Sequence, residues 1–184
     1  MIIRAATPAD AAEIARIHVD TWRAAYQKIV PEDYLASLSY AESEKMWWQN
    51  MSAGGERAGY IFVAEEGGAL LGFSSGRPRT RFSQGLKEYK GVLETLYVLP
   101  CRQRAGTGKQ LIGAVAGCLA ESSVPSMLLW VFEENEIARS FYESLGGELV
   151  VEDSFELGGA ELSEVAYGWK ALNVLRTISG SNSP

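Results

Sequence analysis

The alternation of hydrophobic and polar positions divides the chain into short strands and amphipathic helices. Runs rich in β-branched and aromatic residues predict strands at Ile2–Ala5, Tyr60–Glu65, Ala69–Gly76, Val92–Val98, Met127–Phe132, Leu149–Leu157 and Leu162–Trp169. Apolar residues three and four apart predict helices after Thr7-Pro8-Ala9-Asp10, after Pro31, and over Ala41–Met51, Gly108–Glu121 and Asn135–Leu145. This order of elements predicts one α/β domain with a mixed sheet.

The pattern also sets expectations for single segments. The first helix is expected to bury Ile14, Ile17, Thr21 or Trp22, and Ala25 on one face. The polar stretch Gly76–Glu88, with Arg77, Arg79 and Arg81, is expected to be a loop. The domain is expected to span residues 1–172, followed by a partly disordered tail over residues 173–184.

Composition excludes several classes of protein. The chain has 184 residues, of which 47% are hydrophobic, and a formal net charge of −6, so it can bury a core but lacks the basic surface that nucleic acids and membranes favour. The acidity is compatible with a cationic small-molecule partner, although it also serves solubility. No apolar run is long enough for a membrane span, and no signal peptide is recognised, so a cytoplasmic protein is expected.

The residues available for metal or covalent chemistry are few. Cys101 and Cys118 are expected to be reduced and inert thiols. His18 is the only histidine, which excludes metal sites with several imidazoles, and its neighbours Ile14, Ile17 and Trp22 favour a structural role on a helix packed against the core. No metal site is expected.

A glycine-containing turn after the strand Leu93–Val98 carries Arg102, Arg104 and Lys109. It is not a P-loop, because Gln110 follows Gly108-Lys109, and it is not a dinucleotide fingerprint, because position 111 is leucine. A plain helix start remains one interpretation. The turn nevertheless favours a phosphate-bearing ligand, because glycines allow close approach of the backbone and the first N–H groups of a helix attract anions.

Two motifs resemble those of the GCN5-related N-acetyltransferases (GNAT). Gln103-Arg104-Ala105-Gly106-Thr107-Gly108, called the glycine turn below, is similar to the family's Q/R-x-x-G-x-G/A signature, and it follows Leu96-Tyr97-Val98-Leu99-Pro100, which resembles the family's strand end. Downstream, NEIARSFYESLG (residues 135–146) resembles the helix N-x-x-A-x-x-F-Y-x-x-x-G. HVDTWRAAYQKIVPEDYL and EVAYGW also look like this family, so the resemblance covers nearly the whole chain.

The resemblance implies the GNAT fold, with a mixed central sheet of about six to seven strands flanked by about four helices, and acetyl-CoA as the acyl donor. It implies that the glycine turn cradles the pyrophosphate, that main-chain groups around Leu96–Val98 bond the pantetheine, and that Asn135 contacts the same arm. Tyr142 matches the tyrosine near the CoA sulfur, a candidate general acid. The cofactor-binding residues expected from it are Leu96, Tyr97, Val98, Gln103, Arg104, Ala105, Gly106, Thr107, Gly108, Lys109, Asn135 and Tyr142.

Structural roles compete with these assignments. Tyr142 could be a packed aromatic beside Ala138, Phe141 and Leu145, and Asn135 could be a helix N-cap, alone or in addition to a ligand contact. The general base is open, because the family's best-known base position falls on Val92.

Glu94, two residues later on the same strand face, is the candidate base. The alternatives are that Glu94 is a solvent-facing or salt-bridged strand residue, or that the base acts through water. Trp22 and Tyr26, one helical turn apart, are candidate contacts of the acceptor, although core packing explains Trp22 equally well.

The sequence thus predicts an N-acetyltransferase that moves an acetyl group from acetyl-CoA directly to a primary amine within a ternary complex. A small-molecule amine is the expected partner, with neither nucleic acid nor membrane, and a homodimer is compatible with the family. The alternative is a non-catalytic acyl-CoA-binding or regulatory module on the same fold. The acceptor, the base and the use of longer acyl-CoAs are left open.

Overall fold

The computed structural model of the protein describes residues 1–52, 59–80 and 86–177, which form one mixed sheet with helices on both faces. The strands are β1 (Ile2–Ala5), β2 (Tyr60–Glu66), β3 (Ala69–Pro78), β4 (Gly91–Val98), β5 (Met127–Phe132), β6 (Glu148–Leu157) and β7 (Ala160–Trp169). The helices are α1 (Ala11–Ala25), α2 (Glu32–Ser37), α3 (Tyr40–Ser52), α4 (Thr107–Glu121), α5 (Glu136–Ser144) and α6 (Asn173–Thr177).

The seven described strands lie in the order β1-β2-β3-β4-β5-β7-β6. Every neighbouring pair is antiparallel except β4 and β5, which are parallel. This confirms the predicted α/β class and the mixed sheet of six to seven strands. Of the six helices in the described ranges, α2 and α6 have only 6 and 5 residues, so four longer helices flank the sheet.

Each face of the sheet has its own helical layer. On one face, Ile14 and Ile17 of α1 and Trp47 of α3 pack against Val63 and Phe73 of the sheet. On the other face, α4 packs in one cluster with side chains of α5 and α6 and with the central strands. The central strand β4 therefore lies between two packed layers, which fixes its position relative to α1 and α4.

The structure corrects two details of the sequence interpretation. Ala25 is exposed, because α1 ends there and its last turn leaves the core, whereas Thr21 is buried as expected. The predicted loop at residues 76–88 is wrong at its start, because β3 continues through Arg77 to Pro78 in register with β4. Arg81 lies outside the described residues.

The predicted boundary between domain and tail at residue 172 stays a prediction. Asn173–Thr177 form α6, whose Leu175 is buried in the same cluster as α4. Residues 178–184 lie outside the described ranges. Within those ranges, no helix combines the length and the apolar character needed to cross a membrane.

Candidate functional site

The sheet splits between β4 and β5. The two parallel strands are paired only at Gly91–Met127 and Val92–Leu128, and β4 continues beyond Val92 while bonded to β3 on its other edge. Backbone groups of a strand alternate between its two edges, so those that point away from β3 face the gap. Leu96, Tyr97 and Val98 lie on this stretch, so those of their main-chain groups that point away from β3 border the gap. Their contact with a ligand stays a prediction.

The glycine turn lies directly after β4 and leads into α4. Arg104 and Gly106 have positive φ angles of 61° and 82°, and Gly106 is the residue that precedes the helix. Such left-handed turns present N–H groups to anions, and the N–H groups in the first turn of α4 have no intrahelical acceptor. A Cβ built on Gly106 would meet no atom within 4 Å, so this glycine borders open space.

The side chains of the turn differ in what they offer. Arg104, Ala105 and Lys109 are exposed, and neither cation forms an ion pair with another described residue. Arg102 is already paired with Glu66 at 3.0 Å. Arg104 and Lys109 are thus the two cations of this segment that are available to an anion.

The remaining members of the turn have structural contacts. The Gln103 side chain donates from Nε2 to the carbonyl oxygen of Val98 at 3.2 Å, which ties the turn to β4. Thr107 is buried and its hydroxyl donates to the sulfur of Met1. A Cβ on Gly108 would lie 3.2 Å from Cζ of Phe141, so the missing side chain allows α4 and α5 to pack closely. These residues contribute backbone groups to the turn rather than side chains.

Asn135 caps helix α5. Its Oδ1 accepts a hydrogen bond from the backbone N–H of Ala138 at 3.2 Å, as expected for an N-cap asparagine. The same side chain lies near the hydroxyl group of Tyr26, the residue after α1, where it offsets part of the rise in pKa that burial causes. Asn135 therefore places the start of α5 close to the end of α1.

Tyr142 lies in the core with its hydroxyl group near other phenols. The residue is buried, and its ring contacts Phe141, Tyr167 and Trp169 with centroids 5.4, 6.3 and 6.3 Å away. Burial, and then the nearby phenol of Tyr26, raises the pKa of Tyr142 well above its usual value. The phenol consequently keeps its proton at any physiological pH. Tyr142 is thus a packed core aromatic, and its role as a proton donor stays a prediction.

Trp22, near the end of α1, and Tyr26, the residue after that helix, lie beside Tyr97. The indole Nε1 of Trp22 donates to the hydroxyl oxygen of Tyr97 at 2.8 Å, and its ring centroid is 5.0 Å from that of Tyr26. Burial raises the pKa of Tyr26, while the nearby side chains of Tyr97 and Asn135 act in the opposite direction. We call Tyr26, Tyr97 and Tyr142, with Trp22 and Asn135, the hydroxyl cluster. Trp22 packs inward, so its contacts agree with the core-packing alternative, and its contact with an acceptor stays a prediction.

The side chain of Tyr97 was missed by the sequence, which assigned this residue only a backbone contact. The residue is partly buried, and burial of its hydroxyl group raises its pKa well above the usual value. No local pattern could have found it, because its hydrogen bond with Trp22 of α1 joins residues 75 positions apart. That contact exists only after α1 packs on the sheet.

Glu94 stands apart from the hydroxyl cluster. It lies where the register of β3 against β4 shifts, between the pairs Gly76–Leu93 and Ser75–Thr95, and its carboxylate forms an ion pair with Arg77 at 2.7 Å. Glu94 is therefore a salt-bridged strand residue, and its role as a base stays a prediction. Glu94 also borders a cavity of about 300 Å³ between α1, α3 and the sheet.

His18 borders the same cavity, and the sequence gave it a structural role only. Its Nδ1 lies 3.2 Å from Oγ of Ser43 and 3.4 Å from Nε1 of Trp47, and its ring centroid is 5.4 Å from that of Tyr97. Because the indole N–H donates to Nδ1, the proton of the neutral ring belongs on Nε2. Burial lowers the pKa of His18 to about 4, so the ring is neutral at physiological pH.

Comparisons with known proteins agree with this arrangement. The model of the acetyltransferase (GNAT) family matches residues 12–147. The chain is 39% identical over 177 residues to the uncharacterized N-acetyltransferase YuaI of Bacillus subtilis, covering 96% of both chains, and 32% identical to the probable N-acetyltransferase Rv2775 of Mycobacterium tuberculosis, covering 77% and 76%. A structure of yncA, a putative acetyltransferase from Salmonella typhimurium with its cofactor acetyl-CoA, has the same fold, with a TM-score of 0.69, 21% identity and 94% of each chain covered.

Proposed function

The chain belongs to the GNAT family of acetyltransferases, and we propose that it transfers the acetyl group of acetyl-CoA to a primary amine of a small-molecule acceptor, directly within a ternary complex. The observation that carries the proposal is the split between β4 and β5 beside the glycine turn. It provides an extended backbone edge and an anion-binding helix start next to each other, the two features that a long ligand with a pyrophosphate requires.

Acetyl-CoA is the acyl donor of this family, and the described residues fit it. We propose that the glycine turn from Gln103 to Gly108 holds the pyrophosphate with its N–H groups, and that Arg104 and Lys109 supply positive charge. The main-chain groups of Leu96, Tyr97 and Val98 would bond the pantetheine arm, with Asn135 on the opposite side of the split. The open space at Gly106 supports this assignment, because a side chain there would project into the ligand's place.

When bound, acetyl-CoA supplies an acetyl group activated as a thioester; overall, a C–N bond replaces a C–S bond and the amine's proton ends on the thiol. Within that balance, we propose Tyr142 as the group that gives a proton to the leaving sulfur. The phenol is protonated before the reaction, although burial also makes it a weaker acid, so the role rests on its place in the α5 motif. The phenolate formed would regain its proton from the nitrogen of the new amide bond. The nearby phenols are held in place by the hydrogen bond from Trp22 to Tyr97 and by the ring contacts of Tyr26 with Trp22 and Phe132.

The acceptor must lose a proton before it attacks, since the pKa of an alkylamine is about 10. We propose Glu94, directly or through a water molecule, as the group that receives this proton. Its half-exposed carboxylate supports exchange with solvent afterwards. A covalent acyl-enzyme has little support, because Cys101 lies in the exposed turn after β4 and burial raises the pKa of the Cys118 thiol on α4.

The test is release of CoA thiol from acetyl-CoA in the presence of a panel of amines, combined with calorimetry of CoA binding. Amine-dependent thiol release is the expected result. CoA binding without turnover on any amine would favour the alternative, a non-catalytic acyl-CoA-binding module, and loss of binding would remove the donor assignment as well. A cytoplasmic location and a homodimer stay proposals from the sequence.

A further inference from the structure

The cavity next to Glu94 has a defined position relative to the split in the sheet. It lies on the face of β4 that packs against α1 and α3, and its floor includes Glu94 and Thr95. These residues follow Val92, the last residue of β4 that pairs with β5, by two and three positions. The cavity therefore opens beside the start of the gap in which the proposed donor would lie.

The charge of the cavity is small. Among the described residues that line it, Glu94 is the only one with a permanent charge, and the neutral ring of His18 adds none. Arg77 bonds Oε1 of Glu94 and leaves Oε2 without a described partner. One carboxylate oxygen can thus accept a hydrogen bond from one ammonium group, and a charge-assisted bond of that kind is strong.

The walls of the cavity are mainly apolar. Trp47, only 4% exposed, and Met46 lie on the α3 side and Ile61 on the sheet. The polar atoms of the lining come from His18, Asn50, Ser75, Glu94 and Thr95. A volume of about 300 Å³ is at the lower end for small-molecule sites. No second carboxylate of the described chain lines the cavity, so a further ammonium group of the acceptor would find no ionic partner there.

We infer that this cavity receives the acceptor, and that the acceptor is a small monoamine with an apolar or aromatic body whose ammonium group is bound by Oε2 of Glu94. The inference rests on the proposed function and names its substrate class. It also moves the acceptor contacts from Trp22 and Tyr26, which the sequence favoured, to α3 and the middle of β4. Polyamines and amino sugars with several charges do not fit such a cavity.

The first test compares acceptors. The kcat/KM for 2-phenylethylamine is expected to exceed the values for spermidine and for kanamycin about tenfold or more, because each extra charge would lack a partner. An equal or higher kcat/KM for either polycation would overturn the inference.

The second test fills the cavity. Asn50 lines it from the exposed side of α3, so Asn50→Trp places an indole in the cavity without disturbing the buried face of the helix. The KM for 2-phenylethylamine is expected to rise about tenfold or more, with the Kd for CoA unchanged. Gln49→Trp is the matched control, because Gln49 is an exposed neighbour on the same helix that does not line the cavity, and it should leave both values as they are. An unchanged KM in Asn50→Trp would overturn the inference.

Calorimetry separates this inference from the proposed function. 2-Phenylethylamine is titrated into CoA-loaded wild-type protein and into the Asn50→Trp and Gln49→Trp variants. Binding that is lost only in Asn50→Trp supports the cavity even if no amine is turned over, in which case the proposed catalysis fails alone. Turnover of amines with identical binding in all three proteins would leave the function in place and remove the cavity.

Discussion

The two halves of the site are built from different parts of the polypeptide. The donor half, which comprises β4 beyond Val92, the glycine turn and the start of α4, offers mainly backbone groups. The proposed acceptor half, which comprises α1, α3 and the cavity beside Glu94, offers side chains, among them His18 and Trp47. The two halves meet at the hydroxyl cluster, where Tyr97 of β4 accepts a hydrogen bond from Trp22 of α1, and at Glu94, a residue of β4 that borders the cavity.

This difference explains why the residues of the proposed acceptor half can vary between relatives without a change in the donor half. A backbone site depends on local conformation, such as the positive φ of Gly106, and accepts any side chains that permit it. A side-chain site changes with each substitution on α1 or α3. Members of one family can therefore share a donor and differ in acceptor.

The largest effect is expected at the junction of the halves. Tyr142→Phe removes the hydroxyl group and keeps the ring packing, so kcat should fall about 100-fold to 1000-fold while the Kd for CoA changes little. Steady-state kinetics with saturating acetyl-CoA measures the change. Tyr60→Phe is the control, because that hydroxyl group bonds Ser122 away from the site. If the two variants have the same kcat, Tyr142 is not the acid.

The next largest effect concerns the acceptor half and the stability of the fold. The pKa of His18 is about 4 in the folded protein, below its ordinary value of 6.5, so folding excludes its proton. The contribution of His18 to the free energy of unfolding is constant above pH 6.5. It falls by about 3 kcal/mol in total as the pH drops from 6.5 to 4.

Urea unfolding followed between pH 7 and pH 4 measures this loss in wild type and in His18→Gln. His18 is the only histidine of the chain, so the free energy of unfolding of the variant should depend less on pH between pH 6.5 and 5, whatever its value at pH 7. An identical pH dependence in both proteins would mean that the imidazole is not buried in neutral form.

The smallest of the three effects belongs to the donor half. Gly106→Val forces a β-branched residue into a left-handed conformation and fills the open space of the turn, so the Kd for CoA should rise roughly 30-fold, equivalent to about 2 kcal/mol. Gly117→Ala on the same helix is the control, since a Cβ there also meets no atom within 4 Å but the backbone is helical. Calorimetry in which both variants bind CoA like wild type would contradict the role of the turn.

Much of the fold could be predicted from the sequence, because periodicity is a local property. The bounds of β1 and β5 agree with the residues expected from their apolar runs, and Asn135 is the N-cap that its residue type predicts. The end of β3 was misjudged, because Arg77 is polar and yet continues the strand through its pairing with β4 and its ion pair with Glu94. Such a residue is held in a strand by its partner across the sheet.

The candidate site divides in the same way. The glycine turn and the α5 motif were recognised from two short stretches, because each holds its geometry within a few residues. The contacts of Trp22 with Tyr97 and of His18 with Trp47 join positions 75 and 29 residues apart in the chain, and no local pattern reports them.

The sequence by itself determined the order of strands and helices along the chain, the family resemblance and the donor, since these rest on hydrophobic periodicity and on backbone conformations that glycine and asparagine specify locally. The tertiary structure alone decided which side chains surround the proposed acceptor cavity. It gave Glu94 an arginine partner, kept the imidazole of His18 neutral and brought three phenols together, because burial and contact arise only when α1, α3 and α5 pack around the split sheet.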